Sequence, residues 1–178
     1  MKKTLVVSAF PGCGKTFLYE NQDKAIFNIC GKAVKLSFLD SDSSKFNKED
    51  NWEKKYAQHI KDNIGKYDFI FISMHPGVFR ELQNLGIKYV TIYPNNTDNI
   101  SKNERMLIKQ QWFSRFILRD NKHITDFNKW LNTVKNLYDD WTSINSILGT
   151  GSLAYYLLNQ NQYISDILEN LYILKEKL

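Results

Sequence analysis

The chain has few means of covalent or metal stapling. It contains two cysteines, Cys13 and Cys30, and three histidines in 178 residues. A disulfide framework or a structural zinc site needs about four Cys or His ligands in close pairs, so both are excluded, and a reducing compartment fits best. Glycine and proline are scarce, at eight and three residues, which excludes a collagen-like or low-complexity chain. Long apolar runs are missing too. FIFISM and the stretch around LAYYLL fall well short of the ~20 residues that cross a bilayer, so a soluble, cytoplasmic protein with no membrane partner is expected. No block of consecutive Lys and Arg occurs. The net charge of +5 therefore reads as a solvated basic surface that leaves room for an anionic ligand, nucleotide or nucleic acid without requiring one.

What is present is an apolar content of 43% in a length suited to one domain. The opening, MKKTLVVSAFPGCGKT, admits two exclusive readings. An export signal needs an apolar core of about 7 to 15 residues and a small-x-small cleavage site. Here the run from Leu5 to Phe10 is short and interrupted by Ser8, Pro11 sits where cleavage would occur, and Lys15 follows at once. As a phosphate-binding loop, every residue has a use. Leu5 to Ala9 suits a buried parallel strand, and a helix begins near Thr16 with Phe17, Leu18 and Tyr19. Between them Pro11, Gly12, Cys13 and Gly14 form a turn whose glycines let backbone N–H groups close on a phosphate. The positive end of the next helix favours the same anion. Lys15 would reach the β- and γ-phosphates and Thr16 would offer its hydroxyl to Mg²⁺. The pattern G-x-x-x-x-G-K-[ST] is met with Ala9 in place of the first Gly.

Further along, Ala33 to Leu39 alternates as a second strand ending at Asp40. Trp52 to Ile64 has helical spacing, with Trp52, Tyr56, Ile60 and Ile64 on one face and Gly65 as its stop. YDFIFISMH reads as a central parallel strand, Pro76 and Gly77 turn the chain into a short helix closed by Gly86, and IKYVTIY gives another strand ended by Pro94 and Asn95. Strand and helix alternate four times, so a three-layer α/β fold is expected, a parallel sheet with helices on both sides. From about residue 101 the chain reads as a helical lid and C-terminal extension of the same single domain. NERMLIKQQWFSRFILRDN and TDFNKWLNTVKNLYDDW form two helices there, and SLAYYLL with ISDILENLYILKEKL a last helical pair or hairpin.

Ligands in such sheets sit at the carboxyl ends of the strands, where Lys15, Asp40 and His75 fall. In LDSDSS, Asp40 and Asp42 stand two apart at a strand end. One can hold a Mg²⁺ water or accept a proton from an attacking hydroxyl, and the other can bind substrate; alternatively, they are loop residues that cap the next helix. The strand FIFIS ends in Ser73, Met74 and His75 without a carboxylate, and Asp68 lies at its opposite end, which leaves Asp40 as the better metal partner. Arg115 and Arg119, four apart on one helix face, can close over a triphosphate or line a solvated surface. His75 suits a cap, a packing role or a substrate contact. Arg80 suits either substrate binding or simple exposure. Trp52, Trp112, Trp130 and Trp141 read as helix-packing residues rather than base-stacking ones.

With these pieces in order, the chain resembles the P-loop kinases of the nucleoside and nucleotide kinase superfamily. More narrowly, it is similar to uncharacterised kinase-like proteins of phages and low-GC Gram-positive bacteria, often labelled adenylate or nucleotide kinase. FPGCGKT, LDSDSSKF, IGKYDFIFISMH, GIKYVTIYPN, WFSRFILRDN and DFNKWL carry the likeness, which spans most of residues 4 to 141. The Asp40-Ser41-Asp42 spacing also resembles the paired aspartates of shikimate kinases, where one serves Mg²⁺ and the other the substrate hydroxyl. WFSRFILRDN resembles a lid pattern of two arginines followed by Gly-Asn, with Asp120 replacing the Gly.

The resemblance implies transfer of the γ-phosphate of ATP, with Mg²⁺, to a nucleotide or nucleoside-like acceptor. Lys15, Asp40, Arg115 and Arg119 would be catalytic. Pro11 through Phe17 would bind the donor, Thr16 and Asp40 the metal, and Asp42, His75 and Arg80 the acceptor. Two other readings stay open: a hydroxyl acceptor, such as a modified base in DNA or a small alcohol, and a nucleotide-binding regulatory or assembly switch. A homodimer also stays open.

Overall fold

The computed structural model describes residues 2–120 and 151–178, together with residues 132, 135 and 136; at 119 and 120 it describes the backbone alone. Five parallel strands form the central sheet: β1 (Leu5–Ala9), β4 (Phe38–Ser41), β5 (Phe69–Ile72), β6 (Tyr89–Pro94) and β7 (Ser152–Leu158). They lie in the order β4-β5-β1-β6-β7. A separate hairpin joins β2 (Phe27–Ile29) and β3 (Lys32–Val34) through Cys30 and Gly31, both at positive φ, as a tight two-residue hairpin turn demands.

β1 is buried along its whole length because both its faces are covered. Leu5, Val7 and Ala9 point to one side and pack with helices α1 (Lys15–Asn21), α4 (Lys102–Asp120) and α5 (Leu168–Lys177) through Leu18, Ile108, Trp112, Leu168 and Leu171. Val6 points to the other, where it meets Ile70 and Ile72 and helices α2 (Trp52–Asn63) and α3 (Pro76–Asn84) through Tyr56, Ile60, Val78, Phe79 and Leu82. The result is the expected three-layer α/β arrangement. α4 opens on a reciprocal cap: Glu104 accepts from the Ser101 N–H and hydroxyl, and Ser101 Oγ accepts from the Glu104 N–H. No helix among the described residues is long and apolar enough to cross a membrane.

Three expectations need correction. SLAYYLL is not helical but is β7, paired in parallel with β6 from Tyr89↔Ser152 to Pro94↔Leu158. Its Leu and Ala are good helix formers, yet the open edge of β6 offers a ladder of hydrogen bonds, irregular only between Tyr89 and Thr91, and pairing overrides propensity. Ala33 to Leu39 is not one strand, since β3 stops at Val34 and β4 starts at Phe38. The break is made by Asp68, whose carboxylate accepts from both the Ser37 N–H and hydroxyl, at 2.9 and 2.8 Å. Pro94 does not end β6 from outside but is its last residue. The helix expected at 125–141, with Trp130 and Trp141, lies outside the described residues apart from positions 132, 135 and 136, which are helical.

Asp68 also receives Lys2 at 3.0 Å and the buried Lys175 of α5 at 2.8 Å. Burial by itself pushes this carboxyl up, but hydrogen bonds from Lys175, Ser37 and Lys2 outweigh it and bring its pKa from 3.8 down to about 2. A depressed carboxylate contributes stability that is present above the unfolded pKa and lost as pH falls through the folded one. Stability should therefore drop between about pH 4 and pH 2, by on the order of 2 kcal/mol from this group. Asp68→Asn should flatten that acid limb in urea titrations and cost about 3 kcal/mol at pH 7, because Lys175 is left charged and buried. An unchanged acid limb would refute the assignment.

Candidate active site

β1 delivers its carboxyl end to the middle of the sheet, between β5 and β6, and the loop from Phe10 to Gly14 springs from that point. Gly12 and Gly14 hold φ of 82° and 99°, a left-handed region that costs other residues about 1–2 kcal/mol. The loop is tied at both ends and in the middle. Phe10 N–H donates to Ile92 O at 3.1 Å, Cys13 N–H to Phe10 O at 3.3 Å, and Leu18 N–H to Gly14 O at 3.2 Å. The Lys15 ammonium folds back over the loop and donates to Ala9 O at 2.5 Å and Phe10 O at 3.2 Å. Thr16 Oγ1 donates to Asp40 Oδ2 at 2.8 Å, joining the start of α1 to the end of β4.

The outer side of the loop is braced by segments far away in sequence. Trp112, 2% exposed, donates its indole N–H to Pro11 O at 3.1 Å. Ile164 N–H donates to Cys13 O at 2.9 Å, and the Tyr163 ring lies against Gly14. A methyl group added at Gly12 would sit 3.3 Å from the Trp112 ring. Cys13 is buried beneath this brace, and burial pushes its thiol up to about 12, against the pull of Lys15 and Arg115, so it stays protonated and inert.

Arg115 belongs to the same brace. Its guanidinium donates to Gln162 O at 2.9 Å and Gln111 Oε1 at 3.3 Å and lies 4.2 Å from the Trp112 ring and 3.8 Å from the Tyr163 ring. In this arrangement it fastens the segment after β7 to α4. Arg119 is on the same helix, its side chain outside the described residues. Phe17, 65% exposed, projects from α1 just beyond the loop.

Asp42 caps the short 3₁₀ turn that follows β4, accepting from Ser44 N–H at 2.9 Å and Ser44 Oγ at 2.8 Å. The helix-capping alternative is thus realised in the geometry. His75 precedes α3, with Nε2 3.4 Å from Ser43 Oγ and its ring edge-on to Trp52. Burial, then the charge of Lys48, lowers its pKa below the ordinary value of 6.5, with Glu53 opposing, so the imidazole is neutral at pH 7. Arg80 lies exposed on α3. The structure therefore brings Lys15, Thr16 and Asp40 together, places Asp42 and His75 beside them along the same edge, and engages Arg115 in the brace.

Tyr56 went unnoticed as a site residue. It is fully buried, donates its hydroxyl to Ser41 O and accepts from Ser73 N–H at 3.2 Å, so one phenol ties the ends of β4 and β5. Burial raises its pKa, which keeps it a donor. Its periodicity in α2 marks it as a core residue, and nothing local in the sequence announces the hydroxyl's task. Tyr163 and Gln162 were also missed. Their signal is the polar NQNQY tract directly after an apolar segment, which gains meaning once that segment is a strand.

For Mg²⁺, Thr16 and Asp40 supply two hard oxygen donors, the kind that ion takes alongside phosphate oxygens and water. Among the described residues, no cluster of three or more His, Cys, Asp or Glu could hold a metal alone. No protein-family model matches the chain, and no curated protein matches it either.

Two outcomes follow from these contacts. Gly12→Ala should lower stability by about 1–2 kcal/mol through its left-handed backbone and lose more through the methyl pressed 3.3 Å from the Trp112 ring, while Gly31→Ala, at φ 75° with nothing within 4 Å, should cost the backbone strain alone. Equal losses of the two variants in urea unfolding would contradict this. Tyr56→Phe should cost about 1–3 kcal/mol in urea unfolding, since it strands a buried carbonyl and a half-buried N–H.

Proposed function

We propose that the protein is an ATP-dependent phosphotransferase of the P-loop kinase class, acting on a nucleotide or nucleoside-like acceptor. The observation that carries this reading is the joint placement of Lys15 within the loop and the Thr16–Asp40 hydrogen bond at its mouth. A lysine that folds onto loop carbonyls is positioned to swing to the phosphates that the loop would enclose. Its charge would then offset the negative charge on the transferred phosphoryl group. Thr16 and Asp40 would hold Mg²⁺, which supplies charge neutralisation between the phosphates. The loop N–H groups, ordered by Gly12 and Gly14, would orient the donor, and the Trp112–Arg115–Tyr163 brace would keep the loop open in this shape without needing to move. Arg115 on this reading positions the loop, and a transition-state role falls to it only if it leaves Gln162.

The hydroxyl-acceptor reading is weaker, because both carboxylate oxygens of Asp42 accept from Ser44 rather than stand ready to take a proton. Transfer from γ-labelled ATP should be detectable over a panel of nucleoside monophosphates, nucleosides and small alcohols. Lys15→Ala and Asp40→Asn should each reduce it by about 10²-fold or more. ATP binding without transfer to any acceptor would favour a nucleotide-dependent switch and sink the kinase reading.

A further inference from the structure

The other edge of the sheet, where its strands begin, gathers lysines from segments far apart in sequence. Lys35 leads into β4, Lys66 into β5, Lys3 into β1 and Lys88 into β6, and all of them are exposed. These strands are adjacent, and the pairings Phe38↔Phe69, Leu5↔Phe69 and Val6↔Tyr89 start them within one residue of the same level. Exposed Lys177 joins them from the end of α5, where the Glu176 carbonyl accepts from the Lys3 ammonium. The carboxylates at this edge are already engaged. Asp68 receives Lys2 and Lys175, and Glu176 pairs with Lys175 at 3.1 Å. The chain just past α1 and the last turn of α2 add neighbours of opposite sign, Asp23 with Lys24 and Lys61 with Asp62, and Glu81 of α3 accepts from the Asn84 amide at 3.4 Å. Lys3, Lys35, Lys66, Lys88 and Lys177 form no ion pair among the described residues. Their charges match the whole net charge of +5, so the surplus of the chain stands at one edge.

We infer that this edge binds the phosphodiester backbone of a nucleic acid, at the end of the sheet away from the phosphate loop. Neighbouring strands lie about 4.8 Å apart, so the starts of β4, β5, β1 and β6 form a row roughly 14 Å long. A duplex carries one phosphate charge per about 1.7 Å of its axis, so such a row faces on the order of eight of them. The lysines follow a line rather than cover a plane, which fits a linear polyanion better than a bilayer surface. Lysine is a flexible point charge suited to phosphate rather than to bidentate reading of bases, so the contact is electrostatic and indifferent to base sequence. This inference is independent of the kinase reading, because the loop and the lysine row lie at opposite ends of β1.

The test is fluorescence anisotropy with labelled single-stranded DNA, duplex DNA and single-stranded RNA, the three arms telling which backbone is preferred. Affinity for the preferred one should fall about a hundredfold between roughly 50 and 200 mM salt, as about four to five phosphate contacts require. Lys35→Gln, Lys66→Gln and Lys88→Gln combined in one chain should weaken binding by about tenfold or more at the lower salt, and should shrink the slope of log affinity against log salt by about two to three units. A control with the same loss of charge elsewhere, combining Lys54→Gln, Lys55→Gln and Lys102→Gln, should bind within about threefold of the wild type, since salt screens distant charges. All of these positions are exposed, so both variants should keep the urea midpoint of the wild type. ATP should not displace the oligonucleotide. Absence of binding at the lower salt, equal weakening of the two variants, or displacement by ATP would overturn the inference. Capture by phosphatidylserine vesicles with no oligonucleotide binding would overturn it too, in favour of a membrane.

Discussion

The carboxylate of Asp68 is the constraint from which the sheet is organised. It sits at the amino end of β5, and its own backbone and side chain reach in three directions: to Leu5 at the start of β1, to Ser37 ahead of β4, and to Lys175 in the last helix. Three parallel strands are thereby started from one level. Because strands rise by a nearly constant increment per residue, strands that start level also finish level, and the carboxyl ends of β4, β5 and β1 line up. Lys15, Asp40, Asp42 and His75 lie along that edge for this reason. The ion pair is buried, and its attraction offsets desolvation only because Ser37 and Lys2 complete the hydrogen bonding.

At that carboxyl edge the loop after β1 is shaped as much by its neighbours as by its glycines. Gly12 and Gly14 permit the left-handed turns, but the conformation is held by Trp112, Ile164 and Tyr163. Preorganisation of this kind matters to any binding loop, since a loop already held in one shape loses little entropy when a ligand arrives. Arg115 illustrates how position in a chain and position in space differ. By sequence it lies where a mobile arginine would be sought; in space it stacks between two aromatic rings and fastens Gln162.

The legible parts of the fold were those whose signal is local. The β1 strand, the glycine turn, the α2 face of Tyr56 and Ile60 and the Pro76 helix start each depend on residues within a turn or two of one another, and each lies where its pattern indicated. The illegible parts were those decided by partners distant in sequence. SLAYYLL has helix-favouring residues and became a strand because β6 had an edge to fill. The Val34–Phe38 break depends on a carboxylate some thirty residues later. Sequence order singled out Asp40 as the partner of Thr16, but that Asp42 turns back to cap Ser44 is decided only in three dimensions.

The sequence alone determined that the chain alternates strands and helices and that a glycine turn leads from its first strand into its first helix. These follow from residue types and short spacings, which report on local sterics and chemistry. Tertiary structure alone decided which carboxylate meets Thr16, which rings brace the loop, and which lysines gather where the strands begin. Those are properties of side chains brought together over tens of residues, and their proximity comes into being only when the sheet closes its register.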